Sequence, residues 1–228
     1  MHYTDLHTHN HSAHATAIVN DGNAPQHSDG LLHSAGVHPW EILPCPDEQI
    51  AAVERAATLD CVVAIGECGI DKIKSTADLE VQKKVFEAHA LIAEKAGKPL
   101  IIHCVKAQEE IIAIKRSIQP RVAWIIHGFR GKPTQAAQLL KEGFFLSYGE
   151  HYNAASLIAT PPCRLFIESD TSRLAIEEIY EKAAATLGTS AEELAAQTLK
   201  NFAQCGIRTH SALRQERGNA QKHSKKER

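Results

Sequence analysis

The sequence predicts a (β/α)8 barrel of the TIM type with a helix-poor first quarter. Eight short apolar stretches recur along the chain, and from the fourth onward helical patterns separate them. With 228 residues and 43% hydrophobic content, the chain is also of the right size for one such barrel with a substantial core. Strands alternating with helices imply a parallel sheet, with a doubly wound open sheet as the alternative topology.

In order, the strands are expected at 3–7, 15–19, 32–37, 62–65, 100–103, 122–127, 143–147 and 165–168. Helices are expected at 47–59, 78–96, 107–117, 133–142 and 174–187, with a last one from Ser190. The clearest is 78–96, where Leu79, Val85, Phe86, Ile92 and Ala93 supply an apolar face and Gly97-Lys98-Pro99 marks the end. Ser190-Ala191-Glu192-Glu193 reads as a capping box, hydroxyl at one end and Glu193 reaching back. Residues 10–31 are too few, and too rich in Asn, Asp, Gly, Pro and His, to hold the helices that the first two strands should carry. The first quarter is therefore expected to leave apolar strand surface uncovered, for a partner subunit or the chain's own C-terminal helix to cover. The chain would be a monomer or a homo-oligomer through that edge.

Residues 1–207 are expected to form the barrel and 208–228 a basic, disordered tail. Net charge is −2, but the tail has seven Lys or Arg against two Glu, which leaves 18 basic and 25 acidic residues in the body. An acidic body suits bound cations and offers no broad basic footprint for nucleic acid. Cys45, Cys61, Cys68, Cys104, Cys163 and Cys205 are scattered without a Cys-x-x-Cys, so neither a zinc ribbon nor a disulfide framework is suggested. No apolar run reaches the roughly 20 residues of a membrane helix, and the start resembles no targeting peptide, so a cytoplasmic protein without membrane contact is expected. Gly-x-Ser-x-Gly, Walker and dinucleotide-binding motifs are absent, which removes support for serine hydrolase, NTPase and dehydrogenase readings.

The chemistry gathers at strand ends. Asp5-Leu6-His7-Thr8-His9 would place Asp5, His7 and His9 on one face of the first strand and Leu6 on the other, so that two imidazoles grip one cation and Asp5 orients a ring. The fourth strand runs into Glu67, the fifth into His103, the sixth into His127 and the eighth through Glu168-Ser169 into Asp170. In a parallel barrel these ends share one rim, so the side chains converge although they are far apart in sequence.

The succession Asp-Leu-His-Thr-His, Gly36-Val37-His38-Pro39-Trp40, Gly66-Glu67-Cys68-Gly69-Ile70-Asp71, Pro99-Leu100-Ile101-Ile102-His103, His127-Gly128-Phe129-Arg130-Gly131 and Glu168-Ser169-Asp170 resembles the TatD-type metal-dependent hydrolases of the amidohydrolase-like superfamily. Thr198-Leu199-Lys200-Asn201-Phe202 is similar to that family's final helix, and the likeness runs from about residue 3 to 205. The resemblance implies a two-metal centre: His7 and His9 on one ion, His103 and His127 on the other, Glu67 between them, and Asp170 on the first ion and the attacking water. It also implies phosphodiester hydrolysis, commonly as a deoxyribonuclease working from a strand end. The chain departs from the family pattern at Val105-Lys106, where an arginine and an acid are usual, and at Thr171-Ser172-Arg173, where a small residue and Pro are usual.

A phosphodiester repels hydroxide and has a poor leaving group, and two divalent ions answer both problems. Magnesium, manganese and zinc all suit mixed His and carboxylate ligands. Asp170 is the candidate base, with Glu67 as its catalytic companion. Arg130 and Lys132 on a Gly-bracketed loop, and Lys106, are candidate phosphate contacts. His38 is a candidate phosphate contact or leaving-group acid, and Trp40 a candidate base-stacking residue. The expected function is a deoxyribonuclease acting exonuclease-like on DNA ends. The alternatives are a metal-dependent amidohydrolase or esterase on a small carbonyl substrate, and a metal-dependent nucleic-acid-binding module without turnover.

Overall fold

In the computed structural model, which describes residues 3–11, 16–22 and 31–209, eight parallel strands follow one another around a single sheet in chain order. They are β1 (Asp5–Thr8), β2 (Ala17–Asn20), β3 (Leu32–Ala35), β4 (Val62–Asp71), β5 (Leu100–Val105), β6 (Trp124–Ile126), β7 (Phe145–Tyr148) and β8 (Leu165–Ile167). A bridge between Thr8 and Asp170 brings the end of β8 back to β1, so the barrel is nearly closed. Each of the eight expected strands is present, within a few residues at its start.

Alternation along the strands divides the core in two. Leu6, Ile18, Leu32, Val63, Ile101, Ile125, Phe145 and Phe166, one from each strand, form the inner cluster. Ile101, Ile125 and Phe166 precede His103, His127 and Glu168 by two residues, so an apolar floor lies one side-chain layer beneath a polar rim. The outward residues, among them Ile65, Leu100, Ile102, Trp124, Leu146 and Ile167, pack with Phe86, Ile111, Leu139 and Ile179 of the surrounding helices. Each fully buried Leu, Ile or Phe here contributes about 1.5–3 kcal/mol relative to exposure.

The helices are α1 (Asp47–Ala56), α2 (Leu79–Ala96), α3 (Gln108–Ile118), α4 (Pro133–Lys141), α5 (Ala154–Ala159), α6 (Ile176–Leu187) and α7 (Ala191–Gln204). Gly97 ends α2 in the left-handed conformation with φ 64°, as a C-terminal glycine should. Ser190 caps α7 as expected: its Oγ accepts from the Glu193 amide at 3.1 Å, and Glu193 Oε2 accepts from the Ser190 amide at 3.1 Å. The sequence reading missed α5 and the short 3-10 turn Pro162–Arg164. Six residues are too few to show a helical period, although Asn153 caps α5 through its Oδ1 on the Ser156 amide.

The first quarter contains no helix among the described residues, yet its strands are covered. Ala17, Ile18, Val19 and Leu32 are fully buried within the one chain, so of the two expected covers no partner subunit is needed. Phe202, Cys205 and Ile207, at the end of α7 and beyond, join the inner cluster with Leu6, Ile18 and Leu32, so the chain's own C-terminus closes the base there. Strict alternation also fails in β1, where the register shifts between Asp5 and Thr8 and Leu6 belongs to the interior. The expected disordered tail falls, from residue 210 on, outside the described residues.

Candidate metal centre and active site

Glu67 lies at the middle of the rim. Its Oε1 is 2.7 Å from Nδ1 of His103 on β5, 2.7 Å from Nε2 of His127 after β6, and 3.3 Å from Nε2 of His38 after β3. Its Oε2 is 3.2 Å from Nε2 of His7 on β1 and 3.7 Å from Nε2 of His9. Asp170 Oδ1 completes the group at 3.9 Å from His7 and 3.8 Å from His9. Three overlapping donor sets result: His7, Glu67 and His127; His7, His9 and Asp170; and His38, Glu67 and His103. All six sequence-predicted metal residues therefore come together, and His38 joins them.

Backbone close approach makes this possible. Gly69, at φ 150°, stands where a Cβ would lie 2.0 Å from the carbonyl oxygen of His103, so β4 and β5 approach there only with glycine. Asp170 adopts φ 51°, and its amide donates to the His7 carbonyl at 2.9 Å while its own carbonyl accepts from His9 N–H at 3.1 Å. Asp170 at the end of the last strand is thus fastened beside His7 and His9 at the end of the first.

The outer nitrogens of two rings are held by carboxylates. His127 Nδ1 faces Glu168 Oε1 at 3.2 Å, and that oxygen also accepts from the Gly128 amide at 2.7 Å. His103 Nε2 faces Asp71 Oδ2 at 3.2 Å. A ring that donates outward presents its inner lone pair to Glu67, and a lone pair against a carboxylate needs a proton or a cation between them. His7 is fully buried with neither ring nitrogen hydrogen-bonded. Stranded nitrogens converging on buried carboxylates are a donor set that divalent ions fit.

The family model described as TatD related DNase matches residues 8–205. The chain belongs to that family. Among similar proteins, the 3'-5' ssDNA/RNA exonuclease TatD of Erwinia tasmaniensis is 30% identical over 205 residues, covering 78% of this chain and 79% of that one. The metal-dependent hydrolase YcfH of Escherichia coli K12 is 29% identical over 196 residues, covering 77% and 73%. The crystal structure of YJJV, a TatD homolog from Escherichia coli K12, superposes with a TM-score of 0.73 at 18% identity over 82% of this chain and 85% of that one, which shows the shared fold. This TatD-family chain is accordingly an enzyme, and its donor set and metal-dependent relatives support use of a divalent metal.

Electrostatics in the TatD-family site follow from burial opposed by partners. Burial pushes Glu67 up, but His127, His7 and His103 outweigh it and hold its carboxyl well below the usual range. Burial likewise disfavours a charged His127, yet Glu67 and Glu168 raise it well above an ordinary histidine. His9 is raised chiefly by the Glu67 carboxylate beside it, against burial. Asp5 does not orient a histidine ring through any described hydrogen bond. Both its oxygens serve Ser169, Oδ1 accepting from the amide at 2.9 Å and Oδ2 from the hydroxyl at 2.6 Å, and burial raises it to about 7.

The donors open into a cavity of about 670 Å³ whose wall includes His9, His38, Trp40, His103, His127 and Asp170. Trp40 is 46% exposed, with its indole N–H donating to Asp71 Oδ2 at 2.7 Å and Lys74 Nζ 4.6 Å from its ring centroid. Arg130 lines a smaller cavity of about 300 Å³ that shares Asp170 with the first. Lys132 precedes α4 with its side chain exposed, and Lys106 is an exposed residue at φ 55°; neither lines a described cavity.

Sequence reasoning missed Asp71 and Glu168 as ring partners, Asn20, whose Oδ1 accepts from the Glu67 amide at 3.3 Å, and a His11–Asp21–His33 row at the cavity edge, with contacts of 3.3 and 2.7 Å. Period two pointed to the first pair: Asp71 lies four residues from Glu67, and Glu168 two from Asp170.

Proposed function

We propose that this chain is a divalent-metal-dependent phosphodiesterase that removes nucleotides from the ends of single-stranded DNA. The observation that carries the reading is the set of histidines around Glu67 and Asp170, with Trp40 fixed at the cavity mouth. Family membership supports the hydrolytic chemistry, and the activity named for the Erwinia relative supports nucleic acid as substrate.

In this reading His7, His9 and Asp170 hold one ion, His103 and His127 hold a second, and Glu67 serves both. Mixed imidazole and carboxylate ligands suit zinc or manganese, with magnesium where carboxylates and water dominate. Such ions, when bound, acidify water and offset phosphoryl charge. The chain's own residues do the rest. Asp170 orients the attacking water and accepts its proton. His38 Nδ1 accepts from the Trp40 amide at 3.1 Å, so its Nε2 carries the hydrogen and suits protonating the leaving oxygen better than ligating metal. Trp40 stacks a base of a strand entering the cavity. The setting is cytoplasmic, consistent with free thiols at Cys45, Cys68, Cys104, Cys163 and Cys205 and with no membrane-length apolar helix among the described residues.

The test is a gel-resolved time course on end-labelled single-stranded DNA with metal-stripped protein, then with added Mg2+, Mn2+ or Zn2+. Stepwise shortening that appears only with metal is expected. Intact DNA under every metal, in protein shown to have bound ions, would move the assignment to a carbonyl substrate.

A further inference from the structure

The metal cavity has a neighbour. Across Asp170 from Trp40 lies the smaller cavity, at the ends of β6, β7 and β8, with Arg130, His151, Ser172 and Arg173 on its wall and Asp170 and Thr171 shared with the larger one. Arg173 belongs to the Thr171-Ser172-Arg173 segment, where this chain departs from the usual family pattern. The arginines of the helical shell are neutralised: Arg55 pairs with Glu48, Arg116 with Glu142, and Arg121 with Glu94. Arg130 and Arg173 have no ion pair among the described residues. Three acids face the same cavity and each is engaged: Glu150 Oε2 accepts from Ser172 Oγ at 2.6 Å and lies 3.8 Å from His151 Nε2, Glu168 Oε1 accepts from the Gly128 amide, and Asp170 faces His7 and His9. Arg130, whose charge helps to hold Glu150 below its usual range, and Arg173 are guanidinium groups without an ion pair at a cavity that opens on Asp170, and they suit an anion with several oxygens, because each can donate two parallel hydrogen bonds.

We propose that this smaller cavity is a second phosphate subsite for a strand cut from its 3' end, in which Arg130 and Arg173 bind the phosphate on the 5' side of the scissile one, in the retained part of the strand. The proposal rests on the phosphodiesterase reading. The strand then crosses the rim in a fixed direction: terminal base on Trp40, scissile phosphate at Asp170, next phosphate between the arginines. The pairing favours an oligonucleotide over an isolated diester, since a substrate with one phosphate leaves the arginines without a partner. Lys132 and Lys106, which line neither cavity, have no part in it.

The test compares three dinucleotides, TpT, 5'-phosphorylated pTpT and 3'-phosphorylated TpTp, with wild type, Arg173→Ala and the Arg130→Ala/Arg173→Ala double variant. Calorimetric binding to metal-free protein reads the subsite without turnover, and circular dichroism shows that each variant is folded. Wild type should bind pTpT about tenfold more tightly than TpT, and the double variant should lose that margin. With metal restored, kcat/KM should show the same preference and the same loss. Equal binding of pTpT and TpT, a margin untouched in the double variant, or a preference for TpTp would overturn the subsite. A binding margin that depends on the arginines in a protein that cleaves none of the three would uphold the subsite and overturn the phosphodiesterase reading instead.

Discussion

Glu67 Oε1 lies 2.7 Å from His127 Nε2, while the far side of the same ring is held by Glu168 at 3.2 Å. A buried imidazole between two buried carboxylates is stable only as a cation or beside one, so this pair gives the rim its appetite for positive charge. Glu67→Gln preserves shape and removes the charge. Metal-free protein carrying it should be less stable by about 3 kcal/mol in urea unfolding, since a buried pair has lost one partner. Metal binding by calorimetry should weaken in the same variant. Unchanged stability and unchanged metal affinity together would show that Glu67 is not the centre of the site.

Glu168 and Asp71 act through the rings they hold. Glu168→Gln and Asp71→Asn should each lower metal affinity or turnover by about 10–100-fold while leaving secondary structure intact, the usual effect of removing a carboxylate behind a ligating histidine. Metal titration of both variants checks this; wild-type affinity in both would remove the orienting role.

Trp40 should influence binding more than turnover. Its ring is exposed but fixed by Asp71, so Trp40→Ala should raise KM for single-stranded DNA by about 5–100-fold, equivalent to one lost base stack, with kcat changed less. Trp40→Phe should recover much of the loss. A fall confined to kcat would place Trp40 in the chemistry rather than in strand binding.

His89 on α2 supports the loop that carries His38. Its Nε2 accepts from the Val37 amide at 3.0 Å and its Nδ1 donates to the Val85 carbonyl at 2.7 Å, so it is needed neutral; burial lowers it to about 4. The unfolded chain, with a histidine near 6.5, binds the extra proton first as pH falls. The stability His89 contributes is therefore fully present above about pH 6.5 and declines by about 3 kcal/mol toward pH 4. Subtracting the unfolding free energies of His89→Gln from those of wild type, measured on metal-free protein across that range, isolates the effect. A flat difference would show that His89 titrates normally in the fold.

The barrel was legible in the sequence because its strands are short, apolar and regularly punctuated, and because parallel strands bring all their C-terminal ends to one rim. His7, His9, Glu67, His103, His127 and Asp170 could be read for the same reason. What escaped depends on distance rather than pattern. Asp71 and Glu168 resemble ordinary strand-end acids until the rings of His103 and His127 are seen beside them. Asn20 reaches the Glu67 amide across the rim from β2, two strands away in the sheet, and α5 is too short to leave a period. The helix-poor edge is covered by the chain's own C-terminal end, one of the two covers expected, through Phe202 and Ile207, although nothing local in those two residues announces the contact.

In the proposed function the histidine and carboxylate rim holds metal for attack on a phosphodiester, with Asp170 handling the water's proton. The most direct measurement pairs bound-metal content with the release of mononucleotides from single-stranded DNA in wild type and Asp170→Asn. Wild type is expected to take up divalent metal and release nucleotides, and Asp170→Asn, saturated with metal, to turn over about 10²–10⁴-fold more slowly. Near wild-type release by metal-loaded Asp170→Asn, or equal release by wild type stripped of metal, would contradict that function.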